Sequence, residues 1–165
     1  MNKNGRLHAI GRFCAAAACA LALAGPARAA DVTAFVTTAT PSENWGIGYG
    51  AALSSGIAGI LTFEGELAQL PLETGAGALT SFTASAMVSP PLGQLIPYGG
   101  IGFGLFRQTL GDRSDTGRIH ALIIGLKWKL GSLAVVRADY REIDLSGEPL
   151  VPIDRRFTLG AGISF

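Results

Sequence analysis

Along most of the chain, large apolar residues fall on every second position, the spacing of strands that turn one face to an apolar medium. From Phe157 to Phe165 the odd positions are all apolar, and the even ones from Thr158 to Ser164 are small or polar. Trp45, Ile47, Tyr49, Ala51 and Leu53 repeat the scheme, with Gly46, Gly48, Gly50 and Ala52 between them. Gly100 to Leu105 does the same. His120, Leu122, Ile124, Leu126, Trp128 and Leu130 form another row, with Lys127 and Lys129 on the opposite face. Clusters of Gly, Pro, Ser and Asp punctuate these runs. The pattern predicts eight strands, near 31–39, 44–54, 58–69, 79–89, 96–108, 118–130, 133–144 and 155–165. No helical period or domain linker interrupts them after residue 30.

The gaps between strands carry separate information. The second, fourth and sixth are short: Ser55-Gly56-Ile57, Pro90 to Leu95, and Gly131-Ser132. The odd gaps are Thr40–Glu43 and the longer Leu70–Ala78, Thr109–Gly117 and Leu145–Asp154. Short turns at one end and longer loops at the other are expected of a transmembrane barrel. An even strand count with both termini at the short-turn end fits as well. The expected fold is therefore all-β, an eight-stranded antiparallel up-and-down transmembrane β-barrel. A soluble, lipocalin-like barrel would carry its bulky apolar residues inside. Here the face opposite the bulky row is Gly, Ser, Thr and charge, which suits a narrow lumen with lipid outside.

Composition changes the picture at the N-terminus. The 165 residues are 48% hydrophobic and only 15% charged, where a soluble domain is about a quarter charged. Yet no stretch reaches the roughly 20 apolar residues of a membrane-spanning helix. The longest, Phe13–Gly25, follows Lys3, Arg6 and Arg12 and precedes Pro26-Ala27-Arg28-Ala29. That is the order of an export signal, cut after Ala29 at an A-x-A site. The expected domains are a signal peptide, 1–29, and a barrel, 30–165. A short membrane anchor is the alternative, and the apolar run is too short for it. Lipoprotein processing is disfavoured because Cys19 follows Ala16-Ala17-Ala18. Cys14 and Cys19 leave with the signal, so the mature chain has neither disulfide nor thiol chemistry. The signal also removes 4 of 13 basic residues, leaving 9 against 12 acidic ones. Such a balance offers no basic footprint for nucleic acid.

The chain resembles the small outer-membrane β-barrel family, the OmpA/OmpX-type and opacity-type proteins of Gram-negative bacteria. The terminal row Phe157, Leu159, Ala161, Ile163 and Phe165 is similar to the signal that the barrel-assembly machinery reads in such proteins. Pro97 to Gly104 resembles the family's fifth strand, and Val136 to Asp144 its seventh. The resemblance implies residence in the cell outer membrane, among lipid and lipopolysaccharide, as a monomer. It fixes no single role, because the family includes adhesins, anchors, small-solute pores and lipid A enzymes. The peptidoglycan-binding domain of longer relatives is not expected.

Face parity places Glu64, Glu66, Lys127, Lys129, Arg137, Asp139 and Arg141 in the lumen. Strand seven lies opposite strand three, so the two glutamates can reach Arg137 and Arg141, with Asp139 between. Buried charges require partners, so a salt-bridged plug is expected; a narrow gated conduit is the alternative. The family's lipid A deacylase carries His and Ser two positions apart on one strand. His120, the sole histidine after the signal, is followed by Ala121 and Leu122, and parity turns it to lipid near the outer rim. No catalytic, cofactor or metal site is expected. Gly99 to Gly104 reads as strand packing, not a phosphate loop. Trp45 and Trp128 are expected as interface aromatics at the two membrane surfaces. A structural or interaction role follows, with a narrow solute pore next and a lipid A-modifying enzyme last.

Overall fold

The structure, a computed structural model, describes residues 30–41, 45–57, 59–72, 77–147 and 149–165. The expected signal segment lies outside them. Eight strands follow in order: β1 (Ala30–Thr40), β2 (Gly48–Ile57), β3 (Leu61–Pro71), β4 (Gly77–Val88), β5 (Leu95–Leu110), β6 (Arg113–Leu130), β7 (Ala134–Ser146) and β8 (Arg155–Ser164). Each pairs antiparallel with the next, and β1 pairs with β8 to close the barrel. Ala30 and Phe165 exchange backbone hydrogen bonds of 2.8 and 2.9 Å, which ties the two ends of the ladder together. Along the closed wall each strand has a neighbour on both sides, the arrangement that satisfies backbone polar groups without water.

One circuit of the register runs from Ala30 through Ser55, Phe63, Ala86, Ile101, Leu122, Glu142 and Arg155. It returns to β1 at Thr40, ten residues on. A stagger of this kind goes with strands tilted by roughly 35–45° to the barrel axis. The tilt keeps the outward rows in a belt. Val36, Phe63, Phe82, Phe103, Ile124 and Leu159 all stand exposed, on six different strands. An apolar surface that encircles the molecule is far larger than a soluble monomer carries; lipid is the solvent that satisfies it.

Two features depart from the sequence pattern. The fifth connection, expected as a loop over Thr109–Gly117, is instead a turn at Gly111-Asp112. The β5–β6 ladder runs on past the apolar belt to Leu110 and Arg113. Its outer residues, Arg107, Thr109, Ser114 and Thr116, are polar, so hydrophobic alternation fades although strand pairing does not. Gly111 has φ +57°, a left-handed conformation that glycine adopts without strain. The third connection is shorter than expected too, since β3 reaches Pro71 and β4 begins at Gly77.

The second departure is Trp45. It is 3% exposed, buried inside the loop end rather than at a membrane surface. Along β2 and β3, Tyr49 pairs with Gln69 and Ile57 with Leu61, but Trp45 bridges to Leu72, one residue out of that register. A one-residue slip turns a side chain to the other face. Gly46 and Ile47, outside the strand, absorb it, and the Trp45 Nε1–H donates to the Pro152 carbonyl at 3.0 Å. Trp128 points outward near the opposite end, 49% exposed.

Large side chains also occupy the lumen, against the simple expectation of small ones there. Tyr98 lies opposite Gly125, Phe106 opposite Gly117 and Phe35 opposite Gly50. A Cβ built on any of these three glycines would collide with the facing ring. The missing side chains on one strand make room for aromatic rings from the next.

Candidate functional site

On β3 the inward residues from turn end to loop end are Thr62, Glu64, Glu66, Ala68 and Leu70. On β7, across the barrel, they are Val135, Arg137, Asp139, Arg141 and Ile143. Both rows carry charge in the middle and apolar residues toward the loop end. The two charged stretches meet at the barrel axis.

Arg137 grips Glu64 with both terminal nitrogens, Nη1 to Oε2 at 2.5 Å and Nη2 to Oε1 at 3.2 Å. Its Nε and Nη2 also donate to Asp139 Oδ2, at 3.0 and 2.8 Å. Arg141 donates through Nε to Asp139 Oδ1 at 2.8 Å and through Nη2 to Glu64 Oε1 at 3.1 Å. The same Nη2 stands 2.6 Å from Glu66 Oε2. Arg156 of β8 closes the series on Glu66 Oε1. Three carboxylates meet three guanidiniums, and every member is buried, at 4% exposed or less. The forked geometry of arginine suits such sharing. The Tyr98 hydroxyl donates to Asp139 Oδ2 at 3.0 Å, and the Arg137 guanidinium lies 5.6 Å from the centre of the Tyr98 ring.

The structure thus brings together five of the seven expected lumen residues: Glu64, Glu66, Arg137, Asp139 and Arg141. Lys127 and Lys129 are not part of the group. Lys127 pairs with Asp31 of β1 nearer the turn end, and Lys129 is half-buried beside it without an ion pair among the described residues. These groups line a cavity of about 400 Å³ at the turn end, together with Tyr98, Glu64 and several hydroxyls. Sequence reasoning missed Arg156 and Asp31. Both continue the inward rows of their strands, as Thr158 and Thr33 show two positions on. It also missed the apolar plug above the ion pairs, where Phe35, Leu70, Leu79, Phe106, Ile119 and Ile143 pack together.

Outside, His120 is exposed on β6, edge-on to Phe103 at 5.3 Å between ring centres. It sits opposite Asp144, and a groove of about 600 Å³ runs past it to Glu142 and Arg155. Its same-face neighbours on β6 are Arg118 and Leu122, so the serine of a His/Ser pair is not on this strand face. Among the described residues no three of His, Cys, Asp and Glu are grouped as a metal site requires. Phe157, Leu159, Ala161, Ile163 and Phe165 all point outward along β8.

A closed eight-stranded barrel with an apolar belt and a filled, charged lumen is the architecture of the small outer-membrane β-barrels. Solved structures of that class share this chain's fold. The N-terminal barrel of OprF from Pseudomonas aeruginosa matches with a TM-score of 0.59 at 17% identity, over 83% of this chain and 97% of that one. Neisserial surface protein A matches with a TM-score of 0.61 at 19% identity, over 82% and 93%. The outer-membrane enzyme PagL matches with a TM-score of 0.52 at 18% identity, over 82% and 98%. No family model matches the sequence, and no curated protein does. At these identities the likeness is one of fold.

Proposed function

We propose that this protein is an outer-membrane barrel with a structural or interaction role and a lumen that does not conduct. The observation that carries this reading is the double closure of the lumen. Three buried carboxylates and three buried guanidiniums share one network at mid-height, and an apolar cluster fills the space between them and the loops. An ion crossing the barrel would have to break the first and wet the second. Purified protein in planar bilayers is expected to show no steady conductance. Stable single-channel openings would replace this reading with the narrow solute pore, which the turn-end cavity favours.

The apolar belt and the signal-like N-terminus support residence in the outer membrane, in contact with lipid and lipopolysaccharide, as a monomer. Fractionation with the outer membrane and a heat-dependent shift on gels are the expected results. A soluble periplasmic species would overturn them. The outward row ending at Phe165 serves as the assembly signal in this reading. Deleting Phe165 is expected to lower the inserted fraction while export across the inner membrane continues. PagL shows that the fold can carry an enzyme, but the residues beside His120 on its strand face are Arg118 and Leu122, neither of them a nucleophile. Unchanged lipid A, by mass spectrometry with and without the gene, is expected.

A further inference from the structure

The turn-end cavity has a composition of its own. Asp31 neutralises Lys127, and Glu64 is held by Arg137 and Arg141. Two ammoniums, Lys127 and Lys129, stand with the single Asp31 carboxylate in this wall, which leaves one positive charge in excess, and among the described residues Lys129 is in no ion pair. Beside it stand the hydroxyls of Ser54, Thr62 and Ser89, and the remaining wall includes Leu61, Met87, Pro91 and Ile96. The Thr62 and Ser89 hydroxyls lie 2.6 Å apart, Ser89 also donates to the Ile60 carbonyl and Ser54 to Asp31, so the hydroxyls bond within the wall and the Lys129 ammonium is the donor left for a ligand. About 400 Å³ lies within the usual range for small-molecule sites. Above, the ion-pair plug closes the cavity, so it has an entrance and no exit.

We propose that this vestibule binds a small organic anion, its carboxylate or phosphate held by Lys129 and its apolar body seated against Leu61, Met87, Pro91 and Ile96. An unpaired ammonium at the edge of a low-dielectric cleft attracts an anion more strongly than one in open water does. The Asp31–Lys127 pair is neutral as a unit, so the excess charge of the wall is that of Lys129. The proposal draws on the outer-membrane placement only for the compartment that supplies the ligand, since the short turns face the periplasm in such barrels. Binding itself is a property of the folded chain.

The test is a titration of the isotope-labelled, refolded chain in maltoside micelles with phenyl phosphate, followed by amide shifts. Saturable shifts confined to β3, β6 and the turns at that end are expected. Lys129→Gln is expected to weaken binding about tenfold, the loss of one charged contact, and to keep the fold because Lys129 is in no ion pair among the described residues. Asp31→Asn, which frees Lys127, is expected to tighten it. Benzyl alcohol, the uncharged control, is expected to leave the shifts unchanged. The proposal fails if shifts are absent, if Lys129→Gln binds as well as the parent, or if benzyl alcohol acts alike. A response seen in maltoside but lost in phospholipid nanodiscs would assign the vestibule to a lipid headgroup and overturn a soluble ligand. Bilayer conductance would overturn the non-conducting reading without touching this one.

Discussion

The middle and the loop end of the lumen are both filled, yet by different chemistry. At the loop end Phe106, Leu70, Leu79 and Ile143 exclude water by filling space. At mid-height Glu64, Glu66 and Asp139 hold Arg137, Arg141 and Arg156 in a shared network, and the space is taken up by charges that bond to one another. Loss of an apolar side chain costs contacts in proportion to the hole it leaves. Loss of one charge in the network strands the opposite charges, a cost out of proportion to the atoms removed. One region should therefore fail gradually, the other as a unit.

The largest expected effect follows from Glu64→Gln with Glu66→Gln. Asp139 would then be the one carboxylate left in the network, in contact with Arg137 and Arg141 but not Arg156, and breaking a buried pair costs about 3–5 kcal/mol, so urea unfolding should show a loss of at least that order. Arg156 is held by Glu66 while its Nε has no partner, which makes it the natural rescue. Glu66→Gln and Arg156→Leu together are expected to cost less than their separate losses summed, with coupling of about 0.5–3 kcal/mol. Simple additivity would mean that lumen water solvates each charge alone.

Leu79→Ala comes next, at about 2–5 kcal/mol. Combined with Glu64→Gln it is expected to add within about 0.5 kcal/mol, because the two sites share no partner. Strong coupling between them would erase the distinction between the regions. Gly125→Val, which forces a side chain into the Tyr98 ring, is expected to cost about 1–3 kcal/mol and to release the Tyr98 hydroxyl from Asp139. Trp45→Phe is the mildest, about 0.5–1.5 kcal/mol for one hydrogen bond. Brominated lipid gives a sharper readout of the same residue. It is expected to quench Trp128 in the Trp45→Phe protein and to leave Trp45 bright in the Trp128→Phe protein.

Much of the barrel could be read from alternation alone, because lipid on one side and a narrow lumen on the other impose a period of two on nearly every strand. Glu64, Glu66, Arg137, Asp139 and Arg141 followed from the same count. The count fails where polarity or register changes. Arg107–Leu110 and Arg113–Thr116 are strand whose outward residues are polar, so the stretch reads as loop. Trp45 keeps the parity of Tyr49 in sequence, but the slip against Leu72 turns it inward. Arg156 is hidden beside Arg155, since a pair of arginines next to a loop looks solvated. The separation of Lys127 from the network depends on Asp31, a residue at the very start of β1.

The ten-residue stagger has a consequence for what this interior can become. Strand number and stagger set the radius of a closed sheet, so the wall is a vessel of set capacity, whatever its contents. A lumen residue can grow only where a neighbour shrinks. Tyr98 over Gly125, Phe106 over Gly117 and Phe35 over Gly50 are exchanges of this sort already made between adjacent strands. Change in such a barrel should proceed by reciprocal swaps of size within a cross-strand pair. Its outer face, bounded only by fluid lipid, has no such ledger to balance.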